Sequence, residues 1–259
     1  MSAVVLKQQV RQAFDGAARS YDAATPVQRA VGQALLAALQ AQRPGWQPQR
    51  LLDAGCGTGQ GAQLLQAAYP ATQLLRLDFA PAMLACAAPG APLCADLEAL
   101  PLAPACIDLY WSSMAVQWCD LGRVLQEAAR VLAPGGTLAL STLGPATFAA
   151  LDRAFAQADT HPHRLGFAAP EALAAALAAA GLRLVWQARA QHSAWYADLA
   201  SLLRAIKTAG AHTVPGRRSG LLGRRAWQRV QADYERLRQP QGLPAHYDVL
   251  SVIACRARA

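Results

Sequence analysis

Charge is scarce in this sequence, and so are aromatic side chains. Of 259 residues, 15% are charged and 7% aromatic, against 54% hydrophobic. That balance excludes a disordered chain, which needs the reverse. Few aromatics, and no N-P-P-Y-type or catalytic-cysteine motif, argue against a nucleic-acid partner that depends on stacked bases. No apolar run reaches the roughly 18 residues of a membrane span. Residues 169–181, rich in alanine, read as a helix stopped by Gly181. Six cysteines (Cys56, Cys86, Cys94, Cys106, Cys119, Cys255) form no C-x-x-C pair and no Cys/His cluster. They read as reduced buried residues, with no disulfide and no metal expected. The opening MSAVVLKQQVRQAF is too short and polar for a signal peptide. A cytoplasmic, monomeric protein is the expectation, long enough for one elaborated α/β domain or for two small domains.

Acidic residues are missing from one part of the chain in particular. Residues 1–160 hold 10 Lys and Arg against 11 Asp and Glu, and residues 161–259 hold 14 against 5. The net charge of +8 therefore belongs to the last hundred residues, peaking in VPGRRSGLLGRR (214–225) with Lys207 upstream. Such a patch attracts a polyanion.

What the chain has in quantity is alternation. Helices are expected over 4–19 and from Pro26 to Gln42. Strand 50–54, helix 59–68, strand 73–78, helix 81–88 and strands 91–94 and 107–111 follow. Helix 120–132 stops at APGG (133–136), before strand 137–142. Helices over 144–160 and 169–180 precede a strand over 182–189. Residues 197–237 read as mostly helical with a break at 209–223, and 248–257 as a last strand. This rhythm implies a mainly parallel sheet wound on both faces.

The first strand runs into a glycine turn, RLLDAGCGTG. Gly55, Gly57 and Gly59 remove side chains where backbone passes close to a ligand or takes positive φ. A second strand, LLRLD, ends about 20 residues on at Asp78, where an acid accepts hydrogen bonds from both ribose hydroxyls. The spacing is G-x-G-x-G and not the G-x-G-x-x-G of dinucleotide folds. Asp53 just before it would repel a pyrophosphate and suits a cation bearing an α-amino group.

LDAGCGTG thereby resembles motif I of class I S-adenosylmethionine-dependent methyltransferases. That resemblance implies S-adenosylmethionine as cofactor, on a seven-stranded Rossmann-like sheet. Met83, in FAPAML, would then lie against the adenine. Asp96 would meet its amino group, Leu97 would offer a backbone N–H, and Ser112 would join the cofactor site.

The segments RQAFDGAARSYDAATPVQ, LPLAPACIDLYWSSMAVQWCDL, HPHRLGF and IKTAGAHTVPGRRSGLLGR narrow the likeness. In that order they resemble the malonyl-[acyl-carrier protein] O-methyltransferases of early biotin synthesis, over nearly the whole chain. Members commonly carry SNLAVQW, where this chain has Ser113 in place of Asn. The resemblance implies methylation of the free carboxylate of a malonyl thioester. An aconitate-type small-acid methyltransferase is the nearest alternative, and a non-methylating assembly factor with hydroxylase activity is another.

An ionised malonyl carboxylate needs no general base. Tyr21 is the first candidate for orienting a carboxylate, with Gln117 and Trp118 shaping the acceptor pocket. His163 and His212 read as structural or solvent-exposed. Three regions are expected: an N-terminal helical lid (1–45), a cofactor-binding core (46–189 and 246–259), and a helical cap (190–245). Lys207, Arg217, Arg218, Arg224 and Arg225 in the cap are assigned to docking an acidic acyl carrier protein.

Overall fold

A computed structural model describes residues 3–86, 88–158, 161–208 and 222–258. Its sheet has seven strands in the order β3-β2-β1-β4-β5-β7-β6. They are β1 (Arg50–Ala54), β2 (Gln73–Asp78), β3 (Ala91–Cys94), β4 (Ile107–Ser113), β5 (Leu132–Leu143), β6 (Leu182–Tyr196) and β7 (Leu243–Arg256). The first five pair in parallel, and β7 runs antiparallel to both β5 and β6. The chain reverses strand order beside β1, so the β1 and β4 C-terminal ends open a crevice of the kind where α/β sheets bind ligands.

Helices α1 (Ala3–Ala17), α2 (Tyr21–Ala24) and α3 (Pro26–Gln42) precede the sheet. Between strands lie α4 (Gln60–Ala68), α5 (Pro81–Leu84), α6 (Leu121–Val131), α7 (Ala149–Ala156), α8 (Pro170–Ala179), α9 (Leu199–Thr208) and α10 (Arg224–Glu235). Pro26 begins α3 because a proline at the first helical position loses no intrahelical bond. Leu35 and Leu39 of α3 and Leu65 of α4 pack on one face of the sheet against Leu51, Leu109 and Trp111. Leu125 and Val131 of α6 and Leu173 and Leu177 of α8 cover the other, against Leu52, Tyr110 and Leu140. Truncating such a buried leucine to alanine costs about 2–5 kcal/mol.

Several boundaries differ from expectation. Helix α5 makes one turn rather than spanning 81–88, since Pro89-Gly90 must return the chain to β3. Residues 144–148 stay outside α7, because Gly144-Pro145 delays the helix and Phe148 takes a left-handed φ of 54° just before it. Strand β5 starts at Leu132, but the register jumps from Ile107–Leu132 to Leu109–Thr137, so A-P-G-G bulges out of the ladder. Strands β6 and β7 run to Tyr196 and from Leu243, paired along their length. They carry the sheet into the region assigned to the cap. There α9 and α10 pack with α7, joining Leu202, Val230 and Tyr234 to Leu151 and Phe155.

Candidate active site

The turn after β1 is held by contacts that only glycine tolerates. Gly55 has φ 78°, and a Cβ on it would lie 2.3 Å from the Ala115 Cβ. Gly57 has φ 53° and donates its N–H to Asp78 Oδ2 at 2.9 Å. The Ala80 N–H donates to Asp78 Oδ1, also at 2.9 Å. Two backbone donors thus fix the Asp78 carboxylate at the end of β2. Burial raises its pKa, and those same donors oppose the rise.

Asp53 is more deeply buried, at 2% exposure, and its Oδ2 has no hydrogen-bond partner. Burial, then the neighbouring Asp78 charge, push its pKa up to about 7, while Arg76 pulls the other way. A buried carboxylate oxygen without a partner is expensive. A cationic group placed beside it satisfies the oxygen and offsets that cost.

Three cavities meet here, and Tyr21 and Met114 line all of them. The largest, 370 Å³, has Asp53, Gly57 and Gly61 on one side and Gln28 and Arg29 of α3 on another. It offers an acid and a base in one chamber, which fits the zwitterionic end of an amino acid. The second is lined by Asp78, Phe79, Met83, Asp96 and Leu97 and roofed by Lys7, Val10 and Phe14 of α1. Its apolar walls and acidic rim fit a nucleoside. S-adenosylmethionine matches the pair: Asp53 and Arg29 would hold its amino-acid end, and Asp78 its ribose.

The third cavity has mostly apolar walls, including Leu143, Phe148, Leu151, Phe167 and Tyr247, and reaches Ile206 on α9. Two of its lining residues, Met114 (φ 57°) and Phe148, hold left-handed backbone without being glycine. Such strain persists where surrounding structure enforces it. The Gln117 side-chain amide enforces it at Met114 by donating to the Met114 carbonyl at 2.7 Å.

The N-terminal helices close over the site. Lys7 Nζ lies 2.6 Å from Asp96 Oδ2 and 2.8 Å from Glu98 Oε1. The Phe14 ring meets Trp118 edge-on at 5.5 Å and Tyr21 at 6.2 Å. Asp22 accepts hydrogen bonds from the Thr58 hydroxyl and from Gln60 Nε2. Burial first, and then Asp78 and Asp22, raise the Tyr21 pKa far above neutrality, so its phenol stays protonated.

Asp53, Gly55, Gly57, Asp78, Met83, Asp96 and Leu97 line the first two chambers, and Trp118 stands between the second and third. Gln117 lines the third chamber while propping Met114. Three expected cofactor residues are engaged otherwise. Ser112 is fully buried and spends its hydroxyl on the Ala54 carbonyl at 2.8 Å, lining none of the three chambers; its neighbour Ser113 lines the first. Gly59 serves packing, since a Cβ there would lie 2.3 Å from the Ala88 Cβ. Asp96 Oδ2, assigned to the adenine amino group, is taken by Lys7.

Lys207, Arg224 and Arg225 are exposed on α9 and α10, whereas Arg217, Arg218 and His212 lie outside the described residues. His163 stacks on Phe155 with ring centroids 4.2 Å apart. Among the described residues no cluster of three or more His, Cys, Asp or Glu could hold a metal. Met114, Arg29, Gly61 and the Lys7 latch went unforeseen. Only Gly61, in the first turn of a helix, left a local signal.

A methyltransferase-domain family matches residues 52–140, the span carrying the glycine turn, Asp78 and Asp96. A putative methyltransferase from Bacillus halodurans shares the fold with TM-score 0.61 at 14% identity, over 87% of this chain and 99% of that one. Fold and site thus define a class I methyltransferase. A malonyl-[acyl-carrier protein] O-methyltransferase of Dechloromonas aromatica is 44% identical over 96% of this chain and 94% of its own. A biotin biosynthesis bifunctional protein of Cellvibrio japonicus is 38% identical over 99% of this chain and 51% of its own length. The chain belongs to the malonyl-[acyl-carrier protein] O-methyltransferase family.

Proposed function

We propose that this chain transfers a methyl group from S-adenosylmethionine to the free carboxylate of a malonyl thioester carried on an acyl carrier protein, in biotin synthesis. The observation that carries the reading is the junction at Tyr21 and Met114, where an acid-bearing cofactor cleft meets a separate apolar chamber. The named activity of relatives at 40–44% identity gives the acceptor its chemistry.

The cofactor supplies an electrophilic methyl on a sulfonium. The protein's part is to bind, align and dry. Asp53 holds the ammonium, Asp78 the ribose, and Met83 and Phe79 pack the base. Phe14, Trp118 and Met114 exclude water from the meeting point, so an approaching carboxylate loses the hydration that blunts it. The Tyr21 phenol, protonated throughout, donates a hydrogen bond and takes no proton. No general base is required.

Helices α1–α3 serve as lid, and α9 and α10 as the surface that receives the carrier. Two arginines in the first turn of α10 oppose the helix dipole. An acidic partner relieves that repulsion. Ile206 reaches the acceptor chamber, and Lys207, the next residue of α9, is exposed. Among the described residues no helix is long and apolar enough to cross a membrane. All six cysteines are free thiols, in keeping with work in the reducing cytoplasm.

The test is methyl transfer to malonyl-carrier protein, malonyl-CoA and free diacids, measured side by side. Preference for the carrier-bound malonyl group is the expected result. Preference for a free diacid such as aconitate would overturn the reading.

A further inference from the structure

Among the described residues, Arg164 is the one permanently charged side chain lining the acceptor chamber, whose other walls are chiefly Leu143, Phe148, Leu151, Phe167 and Tyr247. Its Nε donates to Asp152 Oδ2 at 2.7 Å and its Nη1 to the Leu165 carbonyl at 3.3 Å. The guanidinium carbon lies 5.9 Å from the Phe167 ring centroid. Those two bonds engage two of the five N–H donors a guanidinium carries. The side chain is 23% exposed, so it is largely desolvated yet reachable from the chamber.

We infer that Arg164 receives one oxygen of the acceptor carboxylate and so selects a charged acyl group; this rests on the carboxyl-methylating function proposed above. A carboxylate entering an apolar chamber loses its hydration and needs a compensating cation or donors. The other cations at the site are committed elsewhere: Arg29 lines the chamber of the cofactor's amino-acid end, and Lys7 bridges Asp96 and Glu98. A guanidinium holds a carboxylate by charge-assisted bonds, and through one oxygen leaves the second free to react.

That second oxygen forms the new O–CH3 bond as the S–CH3 bond breaks. The bonding pair passes to sulfur, the sulfonium becomes a neutral thioether, and no proton moves. The ester formed carries no charge, so Arg164 loses its partner at the moment of transfer. A site built this way binds acid and releases ester. Asp152 anchors the guanidinium from the side and does not touch the acceptor.

Arg164→Gln, Arg164→Lys and Asp152→Asn are compared with wild type on malonyl-carrier protein, with S-adenosylmethionine affinity read by calorimetry. Arg164→Gln should raise the acceptor KM by at least about tenfold, the scale of a lost charge-assisted pair, with cofactor affinity within about twofold. Arg164→Lys should fall between, and Asp152→Asn should keep KM within about threefold. The preference for malonyl over its methyl ester as competing ligand should collapse in Arg164→Gln. An unchanged KM in Arg164→Gln overturns the inference. So does an equal loss in Asp152→Asn, which would make the pair a scaffold. Should Arg164→Gln lose cofactor binding too, Arg164→Lys decides: a wild-type KM and preference there overturn the inference. Wild-type inactivity on the malonyl carrier would instead refute the proposed function. The same variants are then read on whichever diacid is methylated.

Discussion

A methyl group on Gly61 would lie 2.8 Å from Asp53 Oδ2, inside any permissible contact. The glycine leaves room for the carboxylate whose unpartnered oxygen faces the start of α4. Gly61→Ala should still fold, since the atom its Cβ meets is the end of the Asp53 side chain and not backbone. It should bind S-adenosylmethionine about tenfold more weakly, because the carboxylate must swing away. Paired thermal melts and calorimetry check this, and unchanged affinity would refute it.

Asp53 gives the site a pH response. Its pKa near 7 stands above the ordinary carboxylate value of 3.8. A cationic cofactor favours the ionised form, so binding releases a proton. Affinity should rise between about pH 5.5 and 7 and level off above that. The sign for stability is opposite. Ionising the buried acid destabilises the cofactor-free fold, a cost absent below about pH 4 and complete once pH passes 7. Asp53→Asn should raise the melting temperature at pH 8, by at most about 4 kcal/mol in free energy, and abolish the pH-dependence of binding. With both substrates saturating, the wild-type rate should stay flat from about pH 6 to 8, as the acceptor is ionised throughout. A rate rising tenfold per unit would show a titrating base.

Asp78→Ala removes the charged acceptor that Gly57 and Ala80 orient. The expected loss is about 1.5–3 kcal/mol of cofactor binding, roughly tenfold to over a hundredfold. Calorimetry on the folded variant decides the point.

The cationic surface should act collectively. Exposed charge pairs contribute about 0.2–1 kcal/mol each, so one reversal should do little. Lys207→Glu, Arg224→Glu and Arg225→Glu combined should raise KM for carrier-bound substrate steeply and leave cofactor affinity intact. The wild-type KM should climb with salt as the pairs are screened. Normal kinetics of the triple variant at low salt would reduce the patch to a solvated surface.

The parts legible in the sequence were those fixed by local necessity. Helix α3 begins and ends where Pro26 and Gln42 were expected to bound it, and β1 and β2 coincide with their expected spans. The glycine turn was readable because positive φ at Gly55 and Gly57 admits few other residues. The far halves of β6 and β7 were not: edge strand β6 carries an exposed run over residues 187–191, and β7 opens on a buried run over 243–245, so neither alternates where it enters that region. Met114 adopts left-handed backbone with no composition cue, held there by Gln117. Ser112 looked like a ligand residue because it follows the expected strand 107–111, but its hydroxyl is spent on the Ala54 carbonyl. Lys7, Phe14 and Arg29 reach the site only through tertiary folding.

Phe14 walls both the second and the third chamber. Lifting α1 would therefore unroof both at once, breaking the Lys7 bridges and three aromatic contacts in one motion. The same motion that would free the spent cofactor would open the acceptor chamber on its α1 side. A chain whose first helix was pinned to Asp96 should exchange cofactor slowly.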